Sequence, residues 1–249
     1  MFVLSFLEGV GKYLFMLRST ISKPEKVSMY WRETVRQMYD IGVGSFGIIA
    51  IVSVFIGGVT AVQFGYKFIE LAFIPMWWLG AIVRDTMILE LAPTITALLL
   101  AGKIGSNIAT ELGTMRITEQ IDAMDIMGVN TTSFLVGPKI VGGVLIVPAL
   151  VMVAMLLGTY GGMIAGEMGG FYTDQEYLYG LQDDFRPLYI RVMFVKSIVF
   201  PFLITSISCY KGFYVKGGAL QLGKASTEAV VISSIAVVIA NFLIAFIML

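Results

Sequence analysis

Long uncharged apolar runs decide most of what this chain can become. Ile41–Phe64, Val141–Gly166 and Ala229–Leu249 are each long enough to cross a hydrocarbon layer, which is roughly 30 Å thick and takes about 20 helical residues. Two further candidates carry charge near their ends: Met87–Ala109 holds Glu90 and Lys103, and Val192–Tyr210 holds Lys196. The set AVILMFWYC makes up 57% of the 249 residues, whereas soluble domains reach about 45–50% with glycine counted in. Five spans leave only loops between them, so no soluble domain of catalytic size remains. The sequence therefore predicts an all-α membrane protein, a single domain over residues 1–249.

The stretch before the first span, MFVLSFLEGVGKYLFMLRS, is apolar but interrupted by Glu8, Lys12 and Arg18. It lacks the leading basic residues and small-residue cleavage site of a signal peptide. An interfacial amphipathic helix within residues 1–38 fits better, ahead of a transmembrane region at 39–249. Basic residues sort 12 to 5 between the two sides of such a topology. Lys12, Arg18, Lys23, Lys26, Arg32, Arg36, Lys103, Arg116, Lys139, Lys211, Lys216 and Lys224 fall on one side. That bias places the N-terminus in the cytoplasm and the C-terminus outside, which in a bacterial inner membrane would be the periplasm. The outer loop 167–186 is acidic instead.

Several chemistries fall away. With no His there is no His-dependent triad, HExxH site or His proton relay, and one Cys (Cys209) excludes a disulfide framework or a Cys metal cluster. No catalytic residue and no metal site is predicted. A formal net charge of zero gives no hint of nucleic acid.

Four features remain. Gly158, Gly162, Gly166 and Gly170 recur every four residues, and Ala101, Gly105 and Ala109 repeat the spacing. Such stripes let helix backbones approach closely in lipid, within one chain first and across a homodimer second. Glu90 and Lys196 sit a few residues inside parallel spans. Charges at that depth are costly, so they are expected to pair or to line a pocket for a charged head group. Within NIATELGTMRITEQIDAMDIMGVN, residues 107–130, Thr118 reads as an N-cap with Glu119 and Gln120 in the first turn. Glu119, Asp122 and Asp125 then share one face of a short helix, as a partner-docking element would need. Finally, Gly218 to Lys224 imitates part of a phosphate-binding loop, but Ala225 stands where a hydroxyl is required and no α/β sheet surrounds it.

ELAPTITALLLAGKIGSNIATELGTMRITEQIDAMDIMGV, beginning at Glu90, resembles the signature of the MlaE family of ABC-transporter permeases, the membrane subunits of MCE lipid-transport systems. GGALQLGKASTEAVV resembles that family's entry into its last span, and the resemblance covers about residues 30–249. It implies an interfacial helix and five spans, a homodimer, cytoplasmic ATPase subunits that bind ATP and Mg, and a periplasmic MCE-domain ring. It leaves room for a small regulatory subunit. It also implies a phospholipid cavity at Glu90 and Leu91, and an ATPase-coupling segment comprising Glu111, Gly113, Thr114, Met115, Arg116, Thr118, Glu119, Gln120 and Asp122. Several family members carry Arg just before the acid; this chain has Leu89, and Lys196 is our candidate to supply the cation.

The function expected is that of a permease subunit without catalytic activity of its own. It would move phospholipid between the inner membrane and an MCE protein, driven by a separate ATPase. The rival reading is a secondary transporter or channel for an amphipathic substrate. Such a transporter would favour inverted repeats and helices broken at the midplane, a role open to Pro93, Pro148 and Pro201. Five spans do not divide into equal halves. A membrane lipid enzyme is weaker still, because without His only carboxylates remain and Glu90 is the one carboxylate at its depth.

Overall fold

A computed structural model of the protein describes residues 2–21, 27–71 and 75–249, with side chains from 8–20, 28–71 and 75–249. Lys23 and Lys26, two of the basic residues used for orientation, lie outside these. The described residues are helical, without a strand: α1 (Phe2–Ile21), α2 (Val27–Leu71), α3 (Trp78–Thr86), α4 (Ala92–Leu100), α5 (Ser106–Ile117), α6 (Gln120–Ile126), α7 (Gly137–Met168), α8 (Asp174–Gln182), α9 (Pro187–Phe213) and α10 (Ala219–Met248). Wider π-helical turns join α3 to α4 (Met87–Leu91) and α4 to α5 (Ala101–Gly105), and precede α7 (Thr132–Val136). Five continuous helical stretches are long and apolar enough to span a membrane: Ser28–Leu71, Trp78–Ile117, Thr132–Met168, Pro187–Phe213 and Ala219–Met248. The first four overrun their apolar windows at both ends and the last does so at its start, because a helix's backbone hydrogen bonds continue where lipid stops. The phosphate-loop imitation is part of this regularity, since Ala219–Lys224 is the first turn and a half of α10.

The chain forms two compact units. The first comprises Met1–Gly42, Ala97–Ile146 and Val199–Ala240. In it α1 exposes Leu14 and Phe15 yet buries Met16 completely, as an interfacial helix with one side on protein should. Tyr13 holds it to α9 through Ser206 (2.8 Å) and by an edge-on ring contact with Tyr210. Ser19 bonds Thr132 at 3.0 Å. Small residues set the α5–α9 spacing: a Cβ on Gly212 would lie 2.7 Å from the Ala109 carbonyl oxygen. Gly105, of the expected small-residue stripe, faces Ser208.

The second unit comprises Val43–Thr96, Val147–Ile198 and Asn241–Leu249. Here the glycine stripe packs within the chain. A Cβ on Gly57 would run into the Gly158 carbonyl, and one on Gly161 into the backbone at Val54, so α2 and α7 touch main chain to main chain. Farther along α7, the Tyr172 ring lies over Gly166. Its hydroxyl donates to the Gly162 carbonyl at 2.6 Å, and the Tyr177 hydroxyl donates to that of Thr159 at 2.9 Å. The acidic loop 167–186 contains a helix that composition does not announce. Thr173 and Glu176 form a reciprocal capping box at the start of α8, and the Thr173 backbone N–H holds the Glu176 carboxyl below its usual range. Arg84, only 5% exposed, donates to the Leu181 and Asp183 carbonyls where α8 ends.

Overpacking a tight contact costs about 1–3 kcal/mol and more when backbone must move. Gly57→Leu and Gly161→Leu should therefore lower the thermal unfolding midpoint in detergent. Gly47→Ala, with open space around its Cβ, should leave it unchanged or raise it by up to about 1 kcal/mol of stability. A wild-type midpoint for Gly57→Leu would contradict the α2–α7 contact.

Candidate functional site

In the second unit, Pro93 lies in the first turn of α4, just after the π turn Met87–Leu91. A proline has no N–H, so the carbonyl four residues earlier, that of Leu89, loses its helical donor. Lys196 of α9 replaces it, its Nζ donating to the Leu89 oxygen at 2.6 Å. The same ammonium donates to Glu90 Oε1 at 2.6 Å, and Asn241 of α10 donates from Nδ2 to Glu90 Oε2 at 2.8 Å. The two intramembrane charges thus meet, as their common depth predicts. Their exposures differ: the Lys196 side chain is fully buried, while that of Glu90 is 41% exposed.

That asymmetry has an energetic reading. A buried ammonium is tolerable only when paired and hydrogen-bonded, and Lys196 has both partners. Glu90 satisfies it and keeps one flank open. Leu91 follows at the same turn, half-exposed and apolar. The Asn241 carbonyl oxygen is buried without a partner among the described residues. The result is one partly open carboxylate, held by two partners, with an apolar side chain beside it. Sequence reasoning missed Asn241. Its signal was available: it is the one amide in the apolar run Ala229–Leu249, and amides in hydrocarbon seek partners.

The segment 107–130 lies in the first unit and differs from its sequence reading in three respects. Thr118 is not an N-cap. It ends α5, its hydroxyl donating back to the Thr114 carbonyl at 2.9 Å, because a threonine at a helix end can satisfy the last carbonyls as readily as the next N–H groups. Glu119 makes the break, with left-handed backbone at φ 59°, and Gln120 opens α6. The acidic face is also less free than its spacing suggests. Asp122 is paired with Arg116 at 2.6 Å, and Asp125, though exposed, accepts from Thr131 at 2.7 Å, which leaves Glu119 as the one of the three whose side chain has no partner among the described residues. Third, α6 ends on an apolar tip, Ile126 and Met127 being 87% and 71% exposed. Only the adjacency of two large apolar residues in a polar loop hinted at it.

The other residues expected in this segment are chiefly structural. Glu111 pairs with Lys139, itself 3% exposed, at 2.6 Å. A Cβ on Gly113 would strike Leu222 of α10, and the Thr114 hydroxyl bonds the Thr110 carbonyl. Met115 is half-buried. Among the described residues no group of His, Cys, Asp or Glu could hold a metal, and Cys209 is buried.

Comparison with known proteins agrees with these features. The family described as "Permease MlaE" matches residues 34–247. A probable ABC transporter permease protein of Rickettsia bellii is 32% identical, over 95% of this chain and 91% of its own length. The intermembrane phospholipid transport system permease protein MlaE of Haemophilus influenzae is 29% identical, over 99% of this chain and 94% of its own. TRIGALACTOSYLDIACYLGLYCEROL 1, a chloroplastic protein of Arabidopsis thaliana, is 30% identical over 88% of this chain, which covers 62% of it. With five apolar helices and a match along most of its length, the chain is a multi-pass inner-membrane protein and belongs to the MlaE permease family.

Proposed function

We propose that this chain is the membrane subunit of an ABC transporter that passes phospholipid between the inner membrane and a periplasmic MCE-domain protein. A separate cytoplasmic ATPase binds ATP and Mg, two copies of the chain form the permease, and the whole chain acts as a single permease domain. The observation that carries this reading is the Lys196–Glu90–Asn241 network. A lipid in transit needs apolar wall for its tails and one polar contact for its head. Glu90 offers that contact beside Leu91, with Lys196 fixing the carboxylate in place and supplying the nearby positive charge that Leu89 does not. The name of the Haemophilus relative, an intermembrane phospholipid transport permease, supports the substrate class.

In this reading the segment from Glu111 to Met124 transmits motion from the ATPase, and the contact runs through the apolar tip Ile126–Met127 as well as the exposed Glu119. Two apolar side chains this exposed on a short helix cost free energy in water and repay it in a groove of a partner. The orientation follows from the basic residues, with the N-terminus and α6 in the cytoplasm and the C-terminus outside.

Two outcomes are expected. Glu90→Gln leaves a buried ammonium without its counter-charge and should cost about 3–5 kcal/mol of stability. Glu90→Gln combined with Lys196→Met should recover much of that loss, yet still transfer fluorescent phospholipid at least tenfold more slowly in reconstituted complex. Wild-type transfer by the double variant would remove the head-group role. For coupling, Ile126→Ser with Met127→Ser should lower the ATPase recovered with the tagged permease, as should Glu119→Lys with Asp122→Lys. Undiminished recovery in both would place the docking surface elsewhere.

A further inference from the structure

In the first unit α1 lies along α9 and α10, and the seam between them is not filled. Gly9, Val10 and Tyr13 form one wall; Leu203, Ile207 and Ile232 form the other. The cavity they enclose is about 520 Å³, within the roughly 300–1,000 Å³ typical of small-molecule sites. Its lining is apolar apart from three groups. Tyr13 is already bonded to Ser206, and the other two, Tyr210 and Lys211, stand at the end of the groove.

Tyr210 and Lys211 also belong to a second cavity, of about 220 Å³ and opposite character. It is lined by Tyr214, Lys216, Gln221 and Lys224 together with Glu228. Lys211 is paired with Glu228 at 2.7 Å, and Lys12 of α1 is paired with Glu8 at 2.6 Å. Among the described residues no carboxylate lies within ion-pair distance of Lys216 or Lys224. Four cations against two acids leave this end with an excess of two positive charges. The first turn of α10 adds the positive end of its dipole at the same place. The residues that imitate a phosphate-binding loop therefore do help to build an anion-attracting pocket. They do so as a helix beside an apolar groove, which suits a phosphate carrying acyl chains and not a nucleotide.

We propose that the groove and the basic pocket together bind an anionic phospholipid of the adjacent leaflet. Its phosphate sits against Lys211, Lys216 and Lys224, and its acyl chains lie between α1 and the α9–α10 pair. Basic pockets among membrane helices on the cytoplasmic side recognise anionic head groups by this combination. The site shares no residue with the Glu90–Lys196 network, and it gives α1 a second hold on the fold through a lipid bridging it to α9 and α10.

The test uses the full chain in phosphatidylcholine nanodiscs doped with phosphatidylglycerol bearing an acyl-chain diazirine. After illumination, cross-linked peptides are mapped by mass spectrometry. Labels should fall on the segments around Gly9–Tyr13, Leu203–Ile207 and Ile232. Lys216→Gln with Lys224→Gln should weaken labelling about fivefold for each lysine removed, while Lys216→Arg with Lys224→Arg should retain it and so control for folding. Equal labelling by diazirine phosphatidylcholine, or undiminished labelling of the glutamine variant, would overturn the proposal. So would loss of labelling in millimolar inorganic phosphate, which would make the pocket a site for the free anion. No ATPase is present, so failure of the transport reading leaves this result untouched.

Discussion

A single ammonium, that of Lys196, ties together three helical stretches of the second unit. It is fully buried among apolar residues, a position that would be prohibitive were its hydrogen-bonding capacity not met. One partner exists because Pro93 withdraws a helical N–H and frees the Leu89 carbonyl. The other is Glu90, presented by the π turn that immediately precedes α4 and bonded in turn by Asn241 of α10. Proline, wide turn, cation, acid and amide make one arrangement. Removing the acid leaves the buried ammonium without its counter-charge, and removing the cation leaves the Leu89 carbonyl without the donor that replaces its helical one. The partial exposure of Glu90 is the one flank of this arrangement that its partners leave open.

Around that network the second unit owes its closeness to missing side chains. Gly57 against Gly158, and Gly161 against Val54, bring helix backbones into direct contact. In lipid, where apolar side chains gain little by leaving one another for hydrocarbon, this van der Waals contact is a main source of association. The tyrosines that cap α7, Tyr172 and Tyr177, use carbonyls of the same glycine-rich stretch as acceptors. Gly158, Gly162 and Gly166 are thereby occupied within one chain, while Gly170, beyond the end of α7, has open space where a Cβ would stand.

The first unit follows other rules. Its polar residues pair locally, as Arg116 with Asp122 and Lys139 with Glu111, and its apolar tip at Ile126 and Met127 is left bare. The strained backbone of Glu119, a non-glycine residue in the left-handed region, is the hinge on which that tip is set. Thr118 shows why its surroundings misled. A threonine followed by two acid or amide residues reads as a helix start, yet the same hydroxyl serves equally well to finish the helix before it.

Sequence alone determined the five spans and placed Glu90 and Lys196 a few residues inside two of them. These follow from hydropathy and from the cost of charge in hydrocarbon, both of which act on each residue independently of its distant neighbours. Only the tertiary structure decided that Asn241 completes the network, that Asp122 and Asp125 are already engaged, and that a groove beside α1 opens onto Lys216 and Lys224. Each of these joins residues between 6 and more than 200 positions apart. Which of them meet is settled by helix packing, and packing depends on shapes and small-residue contacts that no one-dimensional pattern carries.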